Sequence, residues 1–597
     1  MHVDMTCQVS NWFHVPVAFA TVVTNVRELS PLRSDVTNPK GGIAMLKHQS
    51  RLLLAALALA VPAASASTVA ATAGVRPQAG PWPTPVLRAI HLPPAGVKGR
   101  PVGQVPLRVP NPSAYAAQKA AANAAAARLA APASASAPAT SALAPSFVRN
   151  WAGQSDTTDA PSDSTGAIGT TRYIELVNSK VALYSRTSNT PTASGPLLKL
   201  TGCVTTNCTG DSAFDVQVIW DPGTKRFFYT TIDSSTDPTA GNLLLFGWST
   251  TATPTLSASS WCRFGLGFGS TLPDYPKLGD TKDFMLIGSN NFNGTTFAGS
   301  RISWVAKPPA GSSCPTAFPK HGITGVLKNS NGTRAFTPVP ANQTDTGSTG
   351  WAVARPASIP TAGATFLTLF KVTKSATGTA TIPTTGTSVP VTAYKVPAAA
   401  PQPGTSFKLD TLDARLTQAV SAVDPSHGSV TGLWTQHTVF GGPGAQVRWY
   451  EINPAKHSLI QHGTISSLSL YTFNGAISPD RRVNGTSRKF GGAMVINVNQ
   501  SSASALPAIM VASKKSANAI SALTLVATST AADTGFDCMT TTSPNLCRWG
   551  DYAGASPDPA APTTATRGQV WGTSMLSAAG GSASSSGWTT QNFAVKP

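Results

Sequence analysis

Acidic side chains flanked by aromatic and basic residues recur in this sequence, each time just before an apolar run. Asp551 lies in one such stretch near the C-terminus, residues 548–559, and Asp274 lies in another, residues 273–279. Glycoside hydrolysis requires two carboxylates, about 5–5.5 Å apart for retention or about 6.5–9.5 Å apart for inversion. Asp274 and Asp551 are therefore the candidate catalytic pair, one as the acid and the other as the base or nucleophile.

Other residue types near these two acids are suited to substrate binding. Aromatic rings offer flat faces for sugar stacking, and charged groups offer hydrogen bonds. The candidate binding residues are Tyr275, Lys277, Arg548, Trp549, Tyr552, Asp211 and Asp163. Asp413 is a further acid that we expect to cluster with these aspartates, and Trp571 is a further aromatic residue that could stack on a sugar. The structural alternative is an Asx turn for each Asp and core packing for each Trp.

Other catalytic signatures are missing from the sequence. It contains no Gly-x-Ser-x-Gly elbow, no His-Glu-x-x-His pair and no Gly-x-x-x-x-Gly-Lys-[Ser/Thr] phosphate loop. The residues that come nearest to a Ser/His/Asp triad are scattered along the chain, and we interpret them as parts of surface turns and strands: residues 424–427, His437 and His462. No metal and no cofactor is expected. Oxygen-rich turns suit calcium, which is a minor alternative because no EF-hand or similar loop is present.

The N-terminal region has the pattern of an export signal. Met45 opens a basic segment, which is followed by the apolar run 52–61 and by an Ala-x-Ala cleavage site at 64–66. We predict that residues 1–44 are a mispredicted extension, that residues 45–66 are a signal peptide, and that the protein is secreted or associated with the cell envelope. The apolar run is too short to span a bilayer, which takes roughly 20 residues.

Six cysteines beyond the signal peptide agree with export, because an oxidising compartment favours disulfides. Proximity in sequence favours Cys203 with Cys208 and Cys538 with Cys547, which leaves Cys262 with Cys314. The alternative is a metal site, but the Cys-x4-Cys and Cys-x8-Cys spacings fit zinc poorly.

Residues 67–146 differ in composition from the rest of the chain. They are rich in Ala, Pro and Ser, and they contain seven Lys and Arg but no Asp or Glu. Such a segment cannot bury enough apolar surface to offset the entropy of ordering it, so we expect disorder. Residues 113–129 are dense in Ala and predict a transient helix. The segment is interpreted as a propeptide, a basic tether to an anionic cell envelope, or a plain linker.

Residues 147–597 contain almost every large apolar side chain, arranged in short runs without helical periodicity. Two hairpins turn alike, at Asp221-Pro222 and at Asn453-Pro454, because an Asx side chain and a fixed proline φ favour a turn. Several short strands recurring every roughly 50–70 residues are typical of a propeller. We predict an all-β fold, a β-propeller of five to seven blades. A pair of β-sandwiches is the alternative.

Four segments resemble a widespread group of secreted bacterial propeller-like proteins: residues 163–178, 274–279, 447–452 and 548–559. The likeness covers most of residues 150–575. The arrangement of these segments is more distantly similar to that of sialidase-like propeller glycosidases, although the sialidase repeat Ser-x-Asp-x-Gly-x-Thr-Trp is absent from the sequence. The resemblance implies a site at the mouth of a central channel.

Two classes of function agree with these features. One is a glycoside hydrolase acting on an extracellular polysaccharide or cell-envelope glycan, which the aromatic-flanked acids favour. The other is a non-catalytic propeller that binds a glycan or protein at the cell surface. Residues 147–597 hold 32 Lys and Arg against 22 Asp and Glu, a surplus that suits polyanionic glycans. No nucleic-acid-binding signature accompanies the charge. We expect a monomer without a transmembrane segment.

Overall fold

The computed structural model describes residues 103–129, 144–202, 212–234, 241–539, 545–562 and 566–597. The predicted extension and signal peptide lie outside these residues, and so do Asp211, Cys203 and Cys208. No helix within the described ranges is long and apolar enough to cross a membrane. Strands form most of the described chain, in agreement with the predicted all-β class.

The described chain opens with short elements and then forms successive antiparallel sheets, which we call blades. The opening elements are β1 (Gly103–Gln104), α1 (Pro112–Arg128), β2 (Ser146–Asp156) and β3 (Asp159–Ala160). Blade 1 contains β4 (Thr165–Ile168), β5 (Arg172–Val177), β6 (Lys180–Ser185) and β7 (Pro191–Pro196), followed by α2 (Leu198–Thr201). Blade 2 contains β8 (Ser212–Asp221), β9 (Arg226–Ser234), β10 (Asn242–Ser249) and β11 (Trp261–Gly269). Blade 3 contains β12 (Thr271–Asp280), β13 (Phe284–Asn293), β14 (Thr296–Ala306) and β15 (His321–Ile323).

The remaining blades follow the same plan with short additional strands between them. Blade 4 and its additions are β16 (Ala335–Pro340), β17 (Asn342–Gln343), β18 (Gly350–Pro356), β19 (Ala364–Lys374), β20 (Ala380–Thr381), β21 (Thr387–Tyr394), β22 (Ala400–Pro401) and β23 (Lys408–Leu409). Blade 5 contains β24 (Leu416–Asp424), β25 (Val430–Val439), β26 (Gln446–Asn453) and β27 (Ser458–Ile465). Blade 6 and its additions are β28 (Tyr471–Pro479), β29 (Arg482–Asn484), β30 (Ser487–Lys489), β31 (Ala493–Ser502), β32 (Ala505–Lys515), β33 (Thr524–Thr528) and β34 (Leu546–Cys547). Blade 7 contains β35 (Gly554–Pro557), β36 (Val570–Ser577) and β37 (Trp588–Lys596).

The seventh blade closes the ring with a strand from the other end of the chain. β2 pairs antiparallel with β37, from Ser146 opposite Lys596 to Asp156 opposite Trp588. The innermost strands β4, β8, β12, β16, β24, β28 and β35 each contact the next, and β35 returns to β4. Such closure removes the exposed edges that an open sheet would leave. The prediction of a propeller with five to seven blades is confirmed, with seven blades in the described part of the chain.

Apolar side chains fill the seams between neighbouring blades, because each blade is covered on both faces. Separate buried clusters join blades 1 and 2, 2 and 3, and so on around the ring. The cluster between blades 7 and 1 contains Trp151, Tyr173 and Trp571. The ring centres of Tyr173 and Trp571 lie 5.4 Å apart, a distance at which the ring contact adds stabilisation to that of burial. This seam is what joins the two ends of the propeller.

The two predicted turns form as expected. The Asp221 carboxylate accepts hydrogen bonds from the backbone N–H groups of Gly223 (2.9 Å) and Thr224 (3.1 Å). Asn453 Oδ1 accepts from the backbone N–H groups of Ala455 (3.2 Å) and Lys456 (3.0 Å). Each Asx side chain thereby replaces backbone partners within the turn.

Two of the three predicted disulfides are confirmed. Cys538 and Cys547 are bonded, and so are Cys262 and Cys314. The second bond joins β11 of blade 2 to the connection between β14 and β15 of blade 3. It therefore links two neighbouring blades.

Residues 103–129 differ from the expectation of disorder, because they are folded against the propeller. The predicted transient helix is the 17-residue α1. Asn111 caps its first turn by accepting from the backbone N–H of Ala114 (3.0 Å), and Pro112 occupies the start of the helix. The segment alone has too little apolar surface to fold, but the propeller supplies buried partners for it.

Candidate functional site

The innermost strands carry a repeated irregularity at one end of the channel. Asp215 in β8 and Tyr275 in β12 have φ angles of 57° and 54°, and the register with the next strand shifts at both points. Positive φ also occurs in the corresponding parts of other blades, at Asp163, Thr337, Ala414 and Asn474. A bulge in an inner strand bends the strand and changes the direction of its side chains. The repeat of this feature directs polar groups from several blades toward one end of the channel.

Four aspartates from four blades converge at this end, which we call the mouth: Asp163, Asp215, Asp274 and Asp551. All four are at most 4% exposed. The backbone N–H of Asp551 donates to Asp163 Oδ1 (2.7 Å), and that of Tyr275 donates to Asp215 Oδ2 (3.0 Å). The first bond connects blade 7 to blade 1, and the second connects blade 3 to blade 2. The acids are thus held by backbone groups across the seams.

Burial raises the pKa of each of the four carboxyl groups, because the ionised form loses its hydration. For Asp215 the neighbouring charges of Asp274 and Asp551 raise the pKa further. Burial raises the pKa of Asp551 to about 6, although Arg548 acts in the opposite direction. The mouth therefore holds carboxyl groups that exchange protons close to neutral pH.

Arg548 is the main cation next to Asp551. Its guanidinium donates to Asp551 Oδ1 (2.6 Å) and to Asp410 Oδ2 (2.7 Å). Its side chain is only 6% exposed. Burial would lower the pKa of Arg548, but the two carboxylates outweigh this effect and raise it. Arg548 therefore remains charged and fixes the position of Asp551.

Asp413 belongs to a second, separate ion-pair group at the mouth. Arg415 Nε donates to Asp413 Oδ1 (2.8 Å), and Arg355 Nη2 donates to Asp413 Oδ2 (2.6 Å). Burial alone would raise the pKa of Asp413, but these two arginines lower it well below its usual range. Asp413 is consequently a permanent anion that orients Arg415. It differs in this respect from the four aspartates with raised pKa values.

Lys277 lies between the aromatic rings of the mouth. Its Nζ is 4.0 Å from the ring centre of Tyr275 and 3.2 Å from that of Tyr552. Nζ has no hydrogen-bond partner among the described residues. Burial lowers the pKa of Lys277 strongly, against the opposing charges of Asp215, Asp163 and Asp551. The side-chain nitrogen of Lys277 thus lies against two ring faces and close to carboxyl groups, where burial favours its neutral form.

Eight of the residues singled out in the sequence come together at the mouth: Asp163, Asp274, Tyr275, Lys277, Asp413, Arg548, Asp551 and Tyr552. Asp215, Asp410 and Arg415 also lie at the mouth, and none of them was predicted from the sequence. Asp410 and Arg415 flank Asp413, so the spacing Asp-x-x-Asp-x-Arg was an available signal. Asp215 lies inside the mainly apolar strand β8, four positions after the predicted Asp211. No sequence pattern distinguishes it from a strand residue.

Two of the proposed stacking residues are packed inside the propeller. Trp549 packs against Phe473 and donates from Nε1 to Asn499 Oδ1 (3.2 Å). Trp571 lies in the seam between blades 7 and 1, where its Nε1 donates to Asp558 Oδ2 (3.0 Å). Their positions match the structural alternative of core packing.

The remaining acids and thiols include two groupings with metal-type ligand atoms. Asp424, His427 and Glu451 each place one such atom within 4.8 Å of the others, and Asp533 does so with Cys538 and Cys547. The two cysteines form a disulfide and therefore offer no thiolate. In the first group His427 Nδ1 and Asp424 Oδ2 are hydrogen-bonded at 2.5 Å. Asp424 and Glu451 lie on β24 and β26 of blade 5, and neither contacts the four aspartates of the mouth.

The segment formed by residues 103–128 lies across the mouth. β1 pairs with β3, and the following residues contact Arg548 and Arg415. Arg108 Nη1 reaches Asp274 Oδ1 (3.2 Å), and α1 continues toward blades 4 and 5. A cavity of about 250 Å³ remains beside α1, lined by Tyr115 of the helix and by Arg355 and Asp413 of the mouth. The carboxyl groups are therefore covered in this structure.

No protein-family model and no curated protein matches this chain. The chain is distantly similar to propeller glycosidases of known structure. An endo-1,5-alpha-L-arabinanase from Thermotoga petrophila has 10% identity and a TM-score of 0.26, covering 75% of this chain and 99% of that one. An exo-beta-1,3-galactanase from Phanerochaete chrysosporium has 10% identity and a TM-score of 0.26, covering 61% and 79%. A sialidase from Trypanosoma rangeli has 7% identity and a TM-score of 0.31, covering 64% and 54%.

Proposed function

We propose that this protein is a secreted glycoside hydrolase that cleaves an extracellular or cell-envelope polysaccharide at the propeller mouth. The observation that supports this function is the convergence of Asp274 and Asp551 with two further buried aspartates. Burial and mutual repulsion raise the pKa values of these carboxyl groups toward neutrality. A proton donor in glycoside hydrolysis needs such a raised pKa, because it must hold its proton at the working pH.

The surroundings of the two acids suggest different roles. Asp551 is fixed by Arg548 at 2.6 Å, which stabilises its ionised form. It therefore acts as the base or nucleophile. Asp274 has its cation contact with Arg108, which belongs to the covering segment and not to the propeller. Without that segment, Asp274 has the weaker electrostatic support for its ionised form and acts as the proton donor. Asp163 positions Asp551 through the backbone N–H of that residue.

Other groups of the mouth form the base of the site. Tyr275 and Tyr552 are buried with ring centres 5.7 Å apart, and Lys277 Nζ lies against both rings. The cavity beside α1 brings Arg355 within reach of a bound chain. The basic surplus of residues 147–597 favours attraction of the whole domain to an acidic polysaccharide, whereas the arginines of the mouth are already paired with carboxylates. The two disulfides support an extracellular location.

The second candidate function is a non-catalytic glycan- or protein-binding propeller. The observation that favours it is the complete pairing of Asp410, Asp413 and Asp551 with buried arginines. Such a network stabilises a fold as readily as it serves a reaction. Binding without cleavage is therefore the outcome that would replace the hydrolase proposal.

Release of reducing ends from a panel of acidic and neutral polysaccharides tests the proposal. Because the covering segment closes the mouth, the comparison is made in the Lys119→Ala chain, in which that segment is weakened, with and without Asp274→Asn or Asp551→Asn. Asp283→Asn is the matched control, because its carboxylate pairs with Lys374 (2.8 Å) at the partly exposed rim. We expect cleavage that falls by roughly 100-fold or more in the two mouth variants and is unchanged in the control. Binding of a polymer by folded protein without any cleavage would contradict the hydrolase function.

A further inference from the structure

The covering segment occupies the mouth through its own backbone. Arg548 Nε donates to the carbonyl oxygen of Val105 (3.0 Å). Arg415 Nη2 donates to the carbonyl oxygen of Arg108 (2.7 Å). Both arginines also bind carboxylates of the mouth, so the segment uses the donors that remain on the same two side chains. The stretch between β1 and α1 is thus bound as a peptide ligand would be.

Two basic side chains of the segment add charge-assisted contacts. Arg108 Nη1 lies 3.2 Å from Asp274 Oδ1, in direct contact with the proposed proton donor. Lys119 Nζ donates to Thr411 Oγ1 (2.8 Å) and to the carbonyl oxygen of Leu412 (2.8 Å), and lies 3.7 Å from Asp410. The segment contains no acidic residue, so its charge is complementary to the acidic mouth.

The apolar part of this contact is small. The buried residues of α1 are Lys119, Ala122 and Ala126, and the two alanines pack against Ala398. Val105 joins a small cluster with side chains of blades 2 and 3. Alanine removes little apolar surface from water, so polar contacts provide most of the specificity. A contact of this kind is easier to open than a seam between blades.

The propeller closes without the segment. The strand that completes blade 7 begins at Ser146, after the segment has ended. The cores of the seven seams are built from residues of β2 and of the blades, with Tyr115 packed only at the margin of one of them. Residues 103–128 are therefore an addition to a ring that is already complete.

We infer that the propeller mouth is a docking surface for a basic peptide, and that residues 103–128 are its self-supplied, displaceable occupant. The occupant excludes substrate from Asp274 and keeps the enzyme inactive until it is released. The docking stands on the contacts above. Only its catalytic consequence rests on the proposed glycoside hydrolase function.

Limited trypsin digestion of the full chain tests the docking without an activity assay. Each variant loses its own trypsin site, so cleavage is measured at the other one. The measured rate is cleavage after Arg108 in Lys119→Ala and cleavage after Lys119 in Arg108→Ala. Arg128→Ala is the matched control, because it removes an exposed basic residue from the last turn of α1. We expect cleavage roughly tenfold faster or more in the first two variants, since each loses a buried or partly buried charged contact. Rates equal to those of the unaltered chain and the control would overturn the inference.

Hydrogen exchange of the unaltered chain is the second measurement, and it needs no variant to fold. The α1 amides should exchange at least about tenfold faster than the amides of β25, because the segment opens without unfolding the ring. Equal protection would show that the segment is an integral part of the propeller and would overturn the inference.

Polysaccharide cleavage then separates the two proposals. If both proposals are right, Lys119→Ala and Arg108→Ala release reducing ends faster than the unaltered chain. The rate for Lys119→Arg is then close to that of the unaltered chain, because the positive charge is kept. Faster digestion by trypsin with no cleavage of any polymer would refute the hydrolase and leave the docking in place. Full cleavage by a chain whose α1 remains protected would refute the occluding role.

Discussion

Replacing Arg548 with methionine tests whether the mouth is a buried ion-pair network. Arg548 donates to Asp410, to Asp551 and to the carbonyl oxygen of Val105, and it is nearly inaccessible to solvent. Methionine keeps much of the side-chain volume and removes all three donors. Two buried carboxylates then lose their main or only arginine partner.

The expected loss at pH 7.5 is about 3–5 kcal/mol of the free energy of unfolding, the usual cost of removing one partner from a buried ion pair. Asp551 can reduce this cost by taking up a proton, because its pKa is already raised to about 6 and rises further without Arg548. Each pH unit below the pKa of the variant's carboxyl group lowers the cost by up to about 1.4 kcal/mol. The loss should therefore be clearly smaller at pH 5 than at pH 7.5.

Urea unfolding followed by tryptophan fluorescence at both pH values measures these differences. The double variant Arg548→Met with Asp551→Asn should recover part of the loss at pH 7.5, since one of the uncompensated charges is gone. Arg567→Met is the control, because its guanidinium donates to the backbone oxygen of Pro597 (3.3 Å) and pairs with no side-chain carboxylate among the described residues. A loss below about 1 kcal/mol, or the same loss at both pH values, would refute the view of the mouth as a buried charge network.

Two further predictions concern stability. Replacing Cys262 and Cys314 by alanine should lower the free energy of unfolding by about 4 kcal/mol, against about 3 kcal/mol for Cys538 and Cys547, because the closed loops span 52 and 9 positions. Thermal unfolding with the opposite ranking would contradict this. The raised pKa of Asp551 stabilises the fold below about pH 4, and this contribution of about 3 kcal/mol is lost as the pH rises through 6. Asp551→Asn should therefore flatten the decline in stability between pH 4 and 7, and an unchanged slope would show that Asp551 titrates normally.

Local features of this protein could be predicted from the sequence because their causes lie within a few residues. The turns at Asp221 and Asn453 depend on an Asx side chain that bonds its own backbone neighbours. The Cys538–Cys547 disulfide follows from proximity along the chain. The repeating short strands required a closed arrangement, which predicted the propeller.

The candidate site was predicted only in part. Asp163, Asp274 and Asp551 share a similar sequence context, so their convergence could be expected once a ring was assumed. Asp215 lies within an apolar strand and enters the mouth through a bulge with positive φ. Bulge positions depend on how two strands pair, and the sequence of one strand does not specify that register.

By itself the sequence determined the repeat, the turns, the charge surplus and the composition of residues 67–146. Only the tertiary structure decided that residues 103–128 fold over the mouth, that Trp549 and Trp571 pack in the interior, and that Arg548 joins two acids. These outcomes depend on partners distant along the chain, such as Val105 for Arg548, Tyr173 for Trp571 and Phe473 for Trp549. The physical reason is that burial and ion pairing act through space, while propensity and turn chemistry act along the chain.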